Sequence, residues 1–244
     1  MIVLANSRFI TMGATTIVNG SGGVAPYTYA VQAGGIGGAV SSSGQYTAPY
    51  AYGVDTILVT DDNGDTETVA INVLPPLQLL AQIIQQRMGL ANGRVWIWDQ
   101  KINAPKDDDI FITLRELSST PYASNQYQDD DTQVFTVSTQ AQVQIDIESG
   151  DQSAQNRKEE IIMAMKSQYS QNQQTLNSFK IADLPSVFAN VSELQGTKIP
   201  YRFSITFNFL YLKKIVDSPI DYYDGFEISV DTNTEQSKSI ELEV

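Results

Sequence analysis

Two carboxylates, Asp146 and Glu148, stand two residues apart in a segment that alternates apolar and polar residues. A pair of carboxylates can hydrolyse a glycosidic bond without histidine, one as the acid and the other as the base or nucleophile. No neighbouring sequence feature places a substrate cleft beside this pair. The chain also has no His and no Cys, which removes the commonest general base, thiol nucleophiles and zinc–thiolate sites. We therefore expect a protein that is not an enzyme.

Three acidic clusters could hold a cation, and each has a simpler interpretation. Asp61–Asp65 contains Asn63-Gly64, a strong hairpin-turn signal between two β-rich runs. A calcium loop of that type needs flanking helices and a glutamate at its twelfth position. Asp107–Asp109 and Asp129–Asp131 lie in polar stretches, where such runs are usually solvated. We expect no metal and no cofactor.

The chain is strongly acidic, with a net charge of −13 over 244 residues. Nucleic-acid binding depends on Lys and Arg that meet phosphates, so this balance argues against a protein that grips DNA or RNA. The charge serves solubility, or it forms a wall past which DNA slides without sticking. The sequence shows neither a signal peptide nor an apolar run of transmembrane length, and we expect no membrane partner.

The segment from Thr132 to Glu148 has the period-2 pattern of a half-buried strand. Every even position from Thr136 to Glu148 is polar. Thr139 completes an odd row that is otherwise apolar: Phe135, Val137, Ala141, Val143, Ile145 and Ile147. We expect this odd row to face the helices of its own domain.

This predicted strand is longer than a compact domain can bury. At about 3.3 Å per residue its length is about 56 Å, whereas ordinary strands measure about 17–20 Å. Either the strand bends at a bulge, or part of it projects and pairs outside its own domain. Five polar residues of the even row then face solvent, a neighbouring subunit or a channel: Gln140, Gln142, Gln144, Asp146 and Glu148.

Pro75-Pro76 divides the chain into two predicted domains, residues 1–75 and 76–244. The first has short β-rich runs between glycine-rich turns, which predicts an all-β sandwich. Its stretches GGVAPYTYAV, SSSGQYTAP and DTILVTDDNGDTETVAINV resemble bacterial immunoglobulin-like modules over about residues 12–74. The second predicts an α+β domain with long antiparallel strands and two main helices, at 77–88 and from Asp151 or Ser153 onward.

Other segments of the second domain have plainer patterns. Ser118–Asp131 reads as a long polar loop, and Gln171–Gln174 reads as a polar linker that follows the second helix. Tyr201–Tyr211 alternates aromatic and polar residues. Such an aromatic row could stack bases or sugars, but its strict alternation favours a core strand.

The order of these elements resembles that of the tail terminator and neck proteins of tailed bacteriophages, over about residues 77–230. The matching segments are the first helix, the strands VWIW and IFITLRELSSTPY, the long strand with QVQIDIES, the helix DQSAQNRKEEIIMAM and the aromatic strand. The resemblance implies a structural protein of the virion tail or neck, assembled in the host cytoplasm. It further implies a ring, usually a hexamer, that caps the tail tube, ends tube growth and joins the tail to the head.

The resemblance also implies the partners of such a ring. These are other copies of the chain, the tail-tube protein, the head connector or neck proteins, and DNA that passes through the channel without specific binding. An acidic channel wall would repel phosphate, a hypothesis that fails if the channel-facing residues are neutral or basic. Two other roles stay open: a carbohydrate-binding or adhesive surface module of a virion or bacterium, and a tail-tube or baseplate component.

Overall fold

The computed structural model describes residues 1–98, 107–129, 132–185, 187–193 and 200–217. Its first eight strands form the N-terminal region: β1 (Ile2–Ala5), β2 (Phe9–Ile10), β3 (Thr15–Ser21), β4 (Thr28–Val31), β5 (Ala39–Val40), β6 (Gln45–Thr47), β7 (Gly53–Thr60) and β8 (Thr66–Val73). The remaining elements are α1 (Pro76–Arg87), β9 (Val95–Ile97), β10 (Phe111–Asp129), β11 (Thr132–Ser149), α2 (Ser153–Arg157), α3 (Glu159–Lys166), α4 (Gln168–Leu176), β12 (Phe179–Ala182), β13 (Ala189–Asn190) and β14 (Tyr201–Asp217). The fold is α+β, as predicted.

The N-terminal strands form two four-stranded sheets, in the orders β1-β3-β6-β5 and β2-β8-β7-β4. Alternate side chains of both sheets meet in one core, and several are fully buried: Ile10, Val18, Tyr46, Ile57 and Ile71. Asp61–Asp65 forms the predicted turn between β7 and β8. We call this region the sandwich; its membership of the immunoglobulin-like class stays a prediction.

The second region is built on one sheet, in the order β12-β14-β11-β10-β9, with β13 also paired to β14. Three of its strands are unusually long, and they run antiparallel side by side: β10, β11 and β14. We call these three strands the ribbon. The pairing of β11 with β14 continues without a register shift from Gln133 to Ser149.

The helices pack on one side of this sheet. The odd residues of β11 from Ala141 to Ile147 are fully buried there, together with apolar residues of α1 and α3. The aromatic row of β14 joins the same core through Phe203, Phe207 and Phe209. This part of the sequence pattern is confirmed. Burial of the apolar row stabilises the packing of the helix layer on the sheet.

The predicted second helix is instead three short helices, α2 to α4. The break before α4 lies at Ser167, whose backbone is extended (ψ 153°) and whose side chain caps the helix by accepting from the Ser170 amide. The predicted linker Gln171–Gln174 was wrong, because it lies inside α4.

The predicted loop from Ser118 was also wrong, because β10 continues as a strand to Asp129. Its polar side chains show no period-2 pattern, and its strand conformation comes from backbone pairing with β11. Two register shifts in that pairing leave Leu117 and Tyr122 without partners on β11. Residues 130–131 lie outside the described residues.

Among the described residues, none of the helices combines the length and the apolar character that crossing a membrane requires.

Candidate intersubunit surface

The polar side of β11 carries the five residues that the sequence singles out. Gln140 and Gln142 are exposed, whereas Gln144 and Glu148 are partly buried and Asp146 is only 7 % exposed. The helix layer covers the opposite side of the sheet. The row therefore divides into an exposed pair and a more enclosed trio.

The strands on either side complete this polar surface. Residues directly opposite in an antiparallel pair point to the same side of the sheet. Gln142 lies between Ser118 of β10 and Asn208 of β14, and Gln140 lies between Thr120 and Leu210. We call this uncovered side of the ribbon the polar face.

Asp146 is held by an ion pair that crosses from β14. The Arg202 Nη2 atom lies 2.7 Å from the Asp146 Oδ2 atom, and Gln144 donates to Oδ1 at 2.8 Å. Burial alone would raise the pKa of Asp146, but hydrogen bonds from Gln144, Arg202 and Ser204 hold that pKa below its ordinary value. Asp146 is therefore an ionised acceptor at neutral pH, and its lone pairs are in use.

Glu148 is held more loosely. Its Oε2 atom lies 3.9 Å from Arg202 Nε, too far for a hydrogen bond. Burial raises the pKa of Glu148, with the nearby Asp146 charge adding to the rise and Arg202 opposing it. The two carboxylates thus sit in unequal environments around one arginine, which is an arrangement that joins strands rather than one that faces an open substrate cleft.

Charges of both signs lie on the polar face. Asp146 and Glu148 lie around one cation, Arg202 of β14, and the Glu193 charge also acts on this arginine. Arg115 of β10 lies beside them and donates from Nη2 to Gln144 Oε1 at 3.2 Å. The face is therefore of mixed charge and not uniformly acidic. An acidic wall for DNA has no support from this side of the sheet.

The far end of β11 departs from the predicted pattern. Val134 and Thr136 of the even row are buried, whereas Phe135 and Val137 of the odd row are only partly buried. Thr136 lies opposite Lys214, whose Nζ atom is 5.4 Å from the centre of the Tyr50 ring. The sandwich therefore lies beside this end of the ribbon, and the odd row is not the buried row along the whole strand.

Comparison with known proteins gives a family for this sheet and its helices. A family model described as "Phage neck terminator protein" matches residues 78–236, well over half of the chain. The chain belongs to the phage neck terminator family. The match contains the ribbon, the polar face and the helix layer, and it leaves the sandwich outside. No curated protein matches the chain. Family membership confirms the predicted tail terminator resemblance, and it implies a structural role in the neck or tail of a phage virion.

The neck terminator region is bound to the sandwich by two buried amides that the sequence did not reveal, Gln173 of α4 and Asn177 directly after that helix. Asn177 Oδ1 accepts from the Thr11 amide at 2.7 Å, and Gln173 exchanges hydrogen bonds with Ser7 Oγ at 3.2 and 3.3 Å. Asn177 and Gln173 are 2 % and 5 % exposed. Buried amides need such partners, so these bonds fix where the sandwich sits.

Two of the three acidic clusters make hydrogen bonds or ion pairs within the protein. Asp61 accepts from the backbone amides of Val24, Asn63 and Asp65, which holds its pKa below the ordinary value. Arg94 binds Asp107 in a two-pronged ion pair, at 2.6 and 2.7 Å. The part of the chain that the structure describes contains no group of three or more possible metal ligands. Residues 130 and 131 of the second triplet lie outside the described residues.

Proposed function

We propose that the chain is the subunit of a ring, hexameric as the family resemblance implies, that caps the tail tube. The ring ends tube polymerisation, joins the tail to the head connector and leaves a channel for DNA. The observation that carries this proposal is the match to the phage neck terminator family across the entire ribbon and helix layer. The match favours this role over the adhesive module and over a tube or baseplate component.

The proposed subunit has two domains, residues 1–75 and 76–244. Separate cores support this division, since the sandwich core draws its buried residues from Val3 to Val73 and the second core from Leu79 to Phe209. In this proposal the second domain forms the ring and the sandwich decorates it. Buried hydrogen bonds of α4 hold the two together.

We assign the polar face to a protein contact rather than to the channel wall. The exposed amides of Gln140 and Gln142 can donate and accept hydrogen bonds, which suits a polar protein interface. The most buried carboxylate of the face, Asp146, is already paired with Arg202, and the face carries charges of both signs, so it is not a uniformly acidic wall for DNA. A neighbouring subunit or an adjoining neck or tube protein would lie against this face.

The oligomeric state of the purified chain tests the ring. We expect light scattering to give a mass that is an integer multiple of the 26.9 kDa chain, and negative-stain images to show a ring with a central channel. Some rings of this kind close only on their tube, so the same measurement is made with tail tubes added. A chain that stays monomeric alone and does not bind tubes contradicts the proposal.

A further inference from the structure

The central strand β11 cannot pair with a neighbouring subunit through its backbone. Its pairing with β10 runs from Thr132 to Glu148, and its pairing with β14 runs from Gln133 to Ser149. Both edges of the strand are therefore occupied along almost its full length. Any backbone contact between copies must use another edge of the ribbon.

Among the described residues, one outer edge of the ribbon lacks a partner strand for a long distance. Strand β9 pairs with β10 only from Ile112 to Leu114. Beyond that point, no other strand of the described residues pairs with the outer edge of β10. The other outer edge belongs to β14, where β12 pairs at Asn208–Tyr211 and β13 pairs at Phe203–Ser204. Within the described residues, the outer half of β10 therefore offers the longest stretch of edge next to an exposed, uncharged segment.

The chemistry of this open edge is unusual for a strand that stays in water. Residues Leu117–Tyr127 are all exposed and none is charged. Three of them are large and apolar or aromatic: Leu117 at 42 %, Tyr122 at 60 % and Tyr127 at 38 % exposure. Open edges are normally protected from further pairing by lysine or other charges. Pro121 and the two register shifts interrupt this edge, but Ala123–Tyr127 is regular and is as long as an ordinary strand.

We infer that the outer edge of β10, centred on Ala123–Tyr127, adds a strand from a second copy of this chain. The inference rests on the proposed ring function and names the seam of that ring. A second copy fits because each chain has a net charge of −13, so two copies approach with least repulsion along an uncharged segment. Backbone hydrogen bonds hold the added strand, and Leu117 and Tyr122, which are exposed and have no partner on β11, supply apolar contacts beside it.

The test compares two double variants of the full-length chain. Ser124→Lys with Gln126→Lys puts charges on the open edge, and Gln155→Lys with Gln168→Lys puts the same charges on exposed helix positions. Both lower the magnitude of the net charge equally, so general repulsion cannot explain a difference between them. Sedimentation velocity over a concentration series measures assembly, and hydrogen exchange measures the protection of backbone amides in Ala123–Tyr127.

We expect the edge variant to need at least about tenfold more protein to assemble, while the helix variant matches the wild type. We also expect the Ala123–Tyr127 amides to exchange more slowly in assembled wild type than in dilute monomer. If the edge variant assembles as well as the wild type, and the edge amides of the assembled wild type are unprotected, the inference is overturned and the ring proposal still stands. A protected edge in a two-subunit assembly supports the seam and contradicts the ring. A chain that never self-associates, either alone or with tail tubes added, overturns both.

Discussion

The Nη2 atom of Arg202 lies 2.7 Å from the Oδ2 atom of Asp146, and this contact ties β14 to the central strand β11. The carboxylate is 7 % exposed, and Gln144 donates to its other oxygen. Removing one partner of an ion pair at this depth destabilises the fold, because the remaining buried charge is then uncompensated. This ion pair therefore joins two strands of the polar face.

Replacing Asp146 with asparagine should destabilise the fold by about 1–3 kcal/mol, because Arg202 loses its charged acceptor. Urea unfolding at pH 7 measures the loss. Asp62→Asn, the same change in the exposed turn after β7, is the matched control and should change stability by less than about 0.5 kcal/mol. Equal effects of the two substitutions would show that the ion pair does not stabilise the sheet.

Acidification should affect the two carboxylates of the polar face in opposite senses. The folded-state pKa of Asp146 is lowered, so its contribution is complete above about pH 4 and is lost as pH falls through the folded pKa. The stability advantage of the wild type over Asp146→Asn should therefore shrink on acidification. The pKa of Glu148 is raised, so the wild type should gain relative to Glu148→Gln as pH falls from 7 toward about 4. Unfolding curves at several pH values measure both slopes, and slopes of the same sign would contradict this assignment.

Tyr46→Phe should destabilise the sandwich by about 1–3 kcal/mol, because it removes a donor to a fully buried carboxylate. The Tyr46 hydroxyl donates to Asp55 Oδ2 at 2.7 Å, and Gly38 donates its amide to the same oxygen at 2.8 Å. Burial and the adjacent carboxylate raise the pKa of Tyr46, so its hydroxyl keeps its proton at neutral pH. Thermal unfolding measures the loss. Tyr27→Phe, which removes a more exposed hydroxyl, should cost clearly less, and an equal cost would contradict the role of Asp55.

Asn177→Ala should weaken the attachment of the sandwich, because the Thr11 amide loses its acceptor. We expect a loss of about 1–3 kcal/mol, and calorimetry should show the sandwich unfolding at a lower temperature than the rest of the chain. Asn172→Ala, an exposed position of α4, is the control and should leave a single transition close to that of the wild type. A single unshifted transition for Asn177→Ala would mean that other contacts fix the sandwich.

Lysines at Gln140 and Gln142 should disturb assembly while leaving the monomer folded, because both side chains are exposed on the polar face. Circular dichroism should match the wild type, whereas light scattering should show weaker assembly or weaker binding to tail tubes. Gln86→Lys with Gln171→Lys, on exposed helix positions, is the control for charge. Unchanged assembly of the polar-face variant would mean that these glutamines face solvent and contact no other subunit.

The sequence predicted those parts of the fold that hydrophobic burial determines. The row from Ala141 to Ile147 and the aromatic row of β14 are buried as the alternation indicates. The sequence did not predict the parts of the fold that depend on backbone pairing or on single hydrogen bonds. The polar outer half of β10 is a strand because β11 pairs with it, and Gln173 and Asn177 in a glutamine-rich stretch are buried because the sandwich supplies partners.

The candidate site was only partly predictable for the same reason. The even row of β11 was visible from its period, and Gln140 and Gln142 are exposed as expected. The enclosure of Asp146 depends on Arg202, which is 56 residues away in sequence, and no local pattern joins the two. The pairing of Asp146 with Arg202 therefore became known only with the register of the ribbon.

Tails assembled with and without this protein give the most direct test of the proposed function. Electron microscopy of tails made without the chain should show tubes of irregular length that do not join heads. Adding the purified chain should restore one length and place a closed ring with a channel at the head-proximal end. Tails of normal length that join heads without the chain, or a chain that binds elsewhere on the particle, would contradict the account.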